Sequence, residues 1–163
     1  MSIINNIYPE YDFWELYPQL SIIEEFKEIK TLYKKDSSKV MWFIVLCYDL
    51  ESKFYTLPID VRSTLLSKDH MKDVTFFDKN KDKLDKAITM FQSFDTPAQR
   101  HLRQWSETLD KRTAFLKECE YDLETFEKLD KMAVGTAAIY TTFKKIKEEL
   151  QKEQGTLAKG GAQ

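Results

Sequence analysis

The chain has 163 residues, which fits one domain in which roughly 70% of the unfolded surface can be buried. Lysine and arginine total 25 against 27 aspartate and glutamate, a formal charge of −2, and the two signs are interspersed along most of the sequence. That balance argues against a nucleic-acid groove or an anionic membrane as the main partner. Four glycines and four prolines are few for a fold of many short strands, so the composition favours helices.

The sequence predicts a protein that is neither exported nor embedded in a membrane. Its longest apolar run is about half of the ~20 residues that a membrane-spanning helix needs, and the N-terminus lacks the pattern of an export signal. Cys47 and Cys119 are far apart and match no zinc or redox spacing, so we expect two reduced thiols.

The first twenty residues are rich in aromatic side chains and contain two helix breakers, Pro9 and Pro18. We predict an extended arm over residues 1–20. Its rings either close the protein's own core or dock on a neighbouring subunit. The candidate subunit-interface residues are Tyr8, Tyr11, Phe13, Trp14 and Tyr17.

A single helical domain is predicted over residues 21–154. Ser21 and Glu24 have the spacing of a capping box, so the first helix is expected at about 21–34, with Ile22, Phe26, Ile29 and Leu32 or Tyr33 as its apolar repeat. The second helix is expected at about 38–51, capped by serine. Val40 to Tyr48 is apolar on every face and must be covered all round. Its β-branched residues leave a buried strand as the rival prediction.

Three further helices are expected after the link at residues 52–57. Pro58 suits the first position of a short helix that runs to about Ser67, and another helix is expected at about 81–94. Thr96-Pro97-Ala98-Gln99 is a strong start signal for a long helix. Its apolar seam recurs at steps of three and four and consists of Leu102, Trp105, Leu109, Leu116, Cys119, Leu123 and Phe126.

The last helix is expected to end near Gln154 and to pair with the long helix as an antiparallel hairpin. Its seam is Ile139, Phe143, Ile146 and Leu150. The small residues Ala133–Ala138 fit either a tight helix crossing or a turn, and a break near Tyr121-Asp122 is left open. Residues 155–163 have the composition of a flexible glycine-rich tail.

The sequence contains no recognisable catalytic, metal or cofactor motif. His70 and His101 are expected at the surface, and Cys119 lies between two glutamates that would disfavour its thiolate. The basic cluster Lys144-Lys145-Ile146-Lys147 is followed by glutamates and is interpreted as a solvated helix face. An enzyme would need scattered carboxylates together with arginines such as Arg62, Arg100, Arg103 or Arg112.

The segment from Lys39 to Pro58 resembles one found in small virion proteins of large tailed bacteriophages, including the crAss-like phages. In those sequences an apolar helix runs into an Asp-x-x-Ser-x-Phe/Tyr-x-x-Leu-Pro link, which Asp49 to Pro58 matches, and then into a short helix such as that of Ile59-Asp60-Val61-Arg62. The resemblance covers 24 residues, about a seventh of the chain. The candidate core of this segment is Trp42, Phe43, Tyr48, Asp49, Ser52, Phe54, Leu57 and Pro58.

The resemblance implies a structural subunit of the virion neck or tail, a ring or connector protein stacked near the portal. Such proteins form homo-oligomeric rings, commonly twelve-fold, that contact portal or tail proteins and guide genomic DNA without a cofactor. Ring closure requires two different complementary patches on each copy. The alternative is a cytosolic helical adaptor or assembly chaperone that is not present in the mature particle.

Overall fold

The computed structural model describes residue 4 and residues 6–118 and 126–159. These residues form helices and turns without a strand, so the predicted all-α class is confirmed. They fall into two compact units, residues 1–96 and 97–163. No helix within the described residues is long and apolar enough to cross a bilayer.

In its described residues the first unit has five α-helices, which we number in chain order: α1 (Phe13–Leu16), α2 (Glu24–Tyr33), α3 (Ser37–Tyr48), α4 (Ile59–Leu66) and α5 (Phe76–Ser93). 3-10 turns span Pro18–Ile22 and Lys34–Asp36, and a π-helical turn spans Ser67–Met71. The second unit contains α6 (Pro97–Glu118) and α7 (Phe126–Lys159).

Helix α3 is the centre of the first unit. Every residue from Val40 to Tyr48 is buried, and α1, α2, α4, α5 and the π-helical turn all pack against it. The rival strand prediction is therefore wrong. The helix ends three residues before its predicted end because Asp49 adopts an extended conformation, with φ −74° and ψ 131°. An apolar helix covered from every side forms the hydrophobic core of this unit.

The extended arm predicted over residues 1–20 is wrong from Phe13 onward, where α1 and a 3-10 turn replace it. The predicted capping box is wrong as well. The Ser21 hydroxyl donates to the Pro18 carbonyl at 2.6 Å, and the N-cap of α2 is Ile23, without a side-chain hydrogen bond. Ile22 is consequently 82% exposed, whereas Phe26 and Ile29 are buried as their spacing predicts.

Helix α5 begins five residues before its predicted start. Asp73 organises the turn before it, since its Oδ1 accepts from the Thr75 amide at 3.0 Å and the Thr75 hydroxyl at 2.8 Å. Phe76 is then buried, and its ring lies 5.3 Å from that of Phe43 on α3. The two phenylalanines explain the added helical turn, because burying Phe76 requires this segment to lie against α3.

In the second unit α6 begins at Pro97, as predicted, and packs against α7. The Ala133–Ala138 stretch is helical, so the predicted alternative of a turn there is wrong. A Cβ at Gly135 would meet Arg112 Nη1 at 3.4 Å, so the arginine side chain of α6 reaches α7 at this point. Helix α7 continues to Lys159, five residues beyond its predicted end near Gln154. Residues 160–163 of the predicted tail lie outside the described residues. Cys119, Leu123 and the possible break near Tyr121 lie outside the described residues.

Candidate functional site

The N-terminal aromatic segment is anchored to α3 by hydrogen bonds. Asp12 Oδ1 accepts from the amides of Trp14 and Glu15 at 2.9 and 3.1 Å and so starts α1. The Phe13 amide donates to Ser38 Oγ at 2.8 Å, and Trp14 Nε1 donates to Ser37 Oγ at 3.0 Å. The two serine hydroxyls, predicted to cap their own helix, thus hold α1 instead.

Three aromatic rings pack where this segment meets α3. The Phe13 ring lies 5.3 Å from both Tyr17 and Trp42, and it meets Trp42 edge to face at 87°. Trp42 Nε1 donates to the Tyr11 carbonyl at 2.8 Å, and the Tyr17 hydroxyl donates to the Asn6 carbonyl at 2.6 Å. Of the predicted interface residues, Phe13 and Tyr17 therefore lie in the protein's own core, where a neighbouring subunit cannot reach them.

Tyr8 and Tyr11 lie on the surface. They are 46% and 60% exposed, and their rings form an edge-to-face pair with centroids 6.2 Å apart. A turn fixes their separation, since the Tyr11 amide donates to the Tyr8 carbonyl at 3.0 Å. Because the Tyr11 carbonyl is bonded to Trp42, the exposed pair is attached directly to the core. Trp14 is half-buried, with Lys30 Nζ 5.1 Å above its ring.

The link of residues 49–58 follows α3 and turns back on it. Ser52 Oγ donates to the Leu46 carbonyl at 2.6 Å and so satisfies a carbonyl at the end of α3. Asp49 Oδ1 accepts from the Glu51 amide at 2.8 Å and fixes the first bend. Asp49 and Ser52 are both buried, as are Trp42, Phe43 and Tyr48 of the same resemblance segment.

The other three predicted core residues are more accessible. Phe54 is half-buried and packs against the core, Leu57 is half-buried, and Pro58 is exposed. The prediction that Pro58 is a core residue is therefore wrong. Pro58 was predicted to be the first residue of α4. It is instead the N-cap, one position before the helix, and its side chain is exposed.

Arg62 holds the link in place, a role that the sequence did not reveal. Its side chain is buried, and Nη1 donates to the carbonyls of Tyr55 at 3.0 Å and Leu57 at 3.5 Å. The guanidinium carbon lies 4.3 Å from the Tyr55 ring centroid and 6.0 Å from that of Tyr48. A guanidinium that bonds to carbonyls and lies on aromatic faces stabilises a fold. Among the described residues Nε has no hydrogen-bond partner.

Burial shifts the pKa of one cysteine and one histidine in this unit. Burial raises the pKa of the Cys47 thiol to about 11, although the nearby Arg62 guanidinium acts in the opposite direction. Cys47 is therefore a thiol at neutral pH and a poor nucleophile. His70 is half-buried, contrary to the predicted surface position, and its Nε2 lies 2.9 Å from the Lys39 carbonyl. Burial lowers the His70 pKa.

Within the described ranges, no group of three or more histidine, cysteine, aspartate or glutamate side chains is arranged to hold a metal ion. Of the four arginines considered for an enzyme, Arg62 belongs to the first unit and the other three belong to the second. No protein-family model, curated protein or solved structure matches this chain.

Proposed function

We propose that the chain is a non-enzymatic structural subunit of a phage virion, a head-to-tail connector or tail ring protein that stacks near the portal and forms part of the genome channel. The resemblance of residues 39–58 to small phage virion proteins supplies the class. The exposed Tyr8–Tyr11 pair is the observation that carries the proposal, because it supplies a contact surface of the kind a ring subunit needs.

The Tyr8–Tyr11 pair has the properties of a subunit contact. Tyrosine presents a large ring at a low cost in side-chain entropy and is enriched in protein interfaces. The bond from Trp42 to the Tyr11 carbonyl orders the backbone before any partner arrives, so association loses little conformational freedom there. In a head-to-tail ring this surface would contact a different patch of the next copy. The ring is twelve-fold by analogy with the resembling family.

The first test is to quantify the protein by mass spectrometry in purified particles of the phage that encodes it, relative to the portal protein. A closed neck ring requires about one copy per portal subunit by the same family analogy. Absence of the protein from mature particles would contradict the proposal and favour the assembly chaperone or adaptor.

A matched pair of variants tests the contact itself. Replacing both Tyr8 and Tyr11 by serine is expected to abolish incorporation into particles while leaving the melting temperature nearly unchanged, because both side chains are exposed. The control is Phe115→Ser on α6, which removes an exposed ring from the second unit. Normal incorporation of the double variant would show that these tyrosines are not the ring contact.

A further inference from the structure

The outer face of α7 is uncharged and open to solvent. The twelve residues from Met132 to Phe143 include no charged side chain. Met132, Ile139, Phe143 and Ile146 are half-buried on one side of the helix, which is the side expected to face α6. On the opposite side Val134 is 65% exposed and Tyr140 is 60% exposed, and Ala133, Ala137 and Thr141 are exposed between them.

The threonines of this stretch do not make the outer face polar. The hydroxyls of Thr141 and Thr142 donate to the carbonyls of Ala137 and Ala138 at 3.0 and 3.1 Å, one turn earlier in the same helix. The donor of each hydroxyl is thus used within α7, and the methyl groups remain available for packing. We call the exposed residues Ala133, Val134, Ala137, Tyr140 and Thr141 the α7 outer face.

We propose that a second copy of this chain packs antiparallel on the α7 outer face, about a two-fold axis at Ala137. In this register each residue lies opposite one at the mirrored distance from Ala137. Val134 meets Tyr140 of the other copy, Ala133 meets Thr141, and the two Ala137 side chains meet on the axis. A small residue at the axis allows the backbones to approach, while a large ring covers a smaller side chain on either side.

Charge complementarity identifies the partner as another copy in this orientation. The outer face is bounded by Asp130 at one end and Lys144 at the other, both exposed and each seven residues from Ala137. Antiparallel packing places each Asp130 opposite the Lys144 of the other copy, so two complementary pairs form. A parallel arrangement in the same register would oppose aspartate to aspartate and lysine to lysine. This self-complementarity belongs to a two-fold contact between identical helices.

The contact extends over residues 130–144, about 21 Å of helix at 1.5 Å per residue. An interface of this length is small, so we expect a weak and reversible dimer. This dimer is a contact distinct from the proposed ring. Ring closure uses two different patches on each copy, whereas the dimer uses the same patch on both copies.

Analytical ultracentrifugation of the full chain over a concentration series tests the dimer. The wild-type protein is expected to shift from monomer to dimer as its concentration rises through the micromolar range. Asp130→Lys and Lys144→Asp should each weaken dimerisation about tenfold, since each single change turns both attractive pairs into repulsive ones. The double variant D130K/K144D should restore wild-type affinity. Lys117→Asp, an exposed charge reversal on α6, is the control.

Disulfide trapping tests the register. In a Cys119→Ser background, a mixture of Val134→Cys and Tyr140→Cys proteins should form a crosslinked heterodimer more readily than either protein crosslinks with itself. Buried Cys47 does not compete. A monomer at every concentration, failure of the double charge reversal to restore dimerisation, or preferential self-crosslinking would each overturn the proposal. The presence of the protein in virions is measured separately, so a failed dimer test leaves the proposed ring function standing.

Discussion

The two units bury an uncharged helical segment in different ways. In the first unit Val40–Tyr48 is covered on all sides by α1, α2, α4, α5 and the π-helical turn, so the chain supplies its own core. In the second unit, the uncharged stretch of α7 has a half-buried side and an outer side that remains exposed. An uncharged helix face is therefore expected to be buried against another element. The same chain supplies that element only where enough helices surround the face, as they do around α3.

The largest effect is expected from Phe43→Ala, with Phe115→Ala as its matched control. Phe43 is fully buried in α3, so its removal should lower the free energy of unfolding by ~3–5 kcal/mol. Phe115 is half exposed on α6, and its loss should change stability by less than about 1 kcal/mol. Urea unfolding measures both values. Equal losses would show that the two units do not differ in burial as described.

Arg62→Ala should have the next largest effect, a loss of about 2–3 kcal/mol. The change removes the hydrogen bond from Arg62 to the buried Tyr55 carbonyl and takes the guanidinium away from the faces of two tyrosine rings. Chemical denaturation measures the loss, and Arg100→Ala, which alters an exposed arginine of α6, serves as the control. If the two variants are equally stable, Arg62 does not hold the link against α3.

Asp12→Ala should cost about 1 kcal/mol, because Asp12 accepts two amide hydrogen bonds as the N-cap of α1. The variant should also make Trp14 more accessible to a fluorescence quencher, since α1 holds its indole against Ser37. The matched control is Asp69→Ala, which alters an exposed aspartate of the π-helical turn. Unchanged quenching together with unchanged stability would mean that the bonds of Ser37 and Ser38 hold α1 without the cap.

The smallest expected effect is a pH dependence from His70. Burial lowers its pKa in the folded state below the ordinary value of 6.5, so the unfolded chain takes up the proton first. Its stabilising contribution is therefore complete above about pH 6.5 and is lost as the pH falls through the folded-state pKa. His70→Gln should reduce the fall in melting temperature between pH 7.5 and 5.5. An identical fall in wild type and variant would exclude His70 as its source.

Much of the first unit could be predicted from local signals in the sequence. The buried helix was evident from its unbroken apolar run, and Phe26 and Ile29 are buried as their spacing requires. The N-terminal segment was predicted less well, since its aromatic density is compatible with a core or an interface. Phe13 and Tyr17 lie in the core, whereas Tyr8 and Tyr11 are exposed. Local patterns could not predict this division, because the serines that anchor α1 lie 25 and 23 residues away along the chain.

The sequence by itself determined that the chain is helical, that α3 is buried and that α6 starts at Pro97. These features depend on composition, periodicity and capping residues within a few positions of one another. Only the tertiary structure decided that Ser37 and Ser38 hold α1 in place of capping α3, and that Arg62 fixes the link through the Tyr55 carbonyl. The physical reason is that a hydroxyl or guanidinium can bond to many partners, and packing around α3 selects the partner that lies within reach.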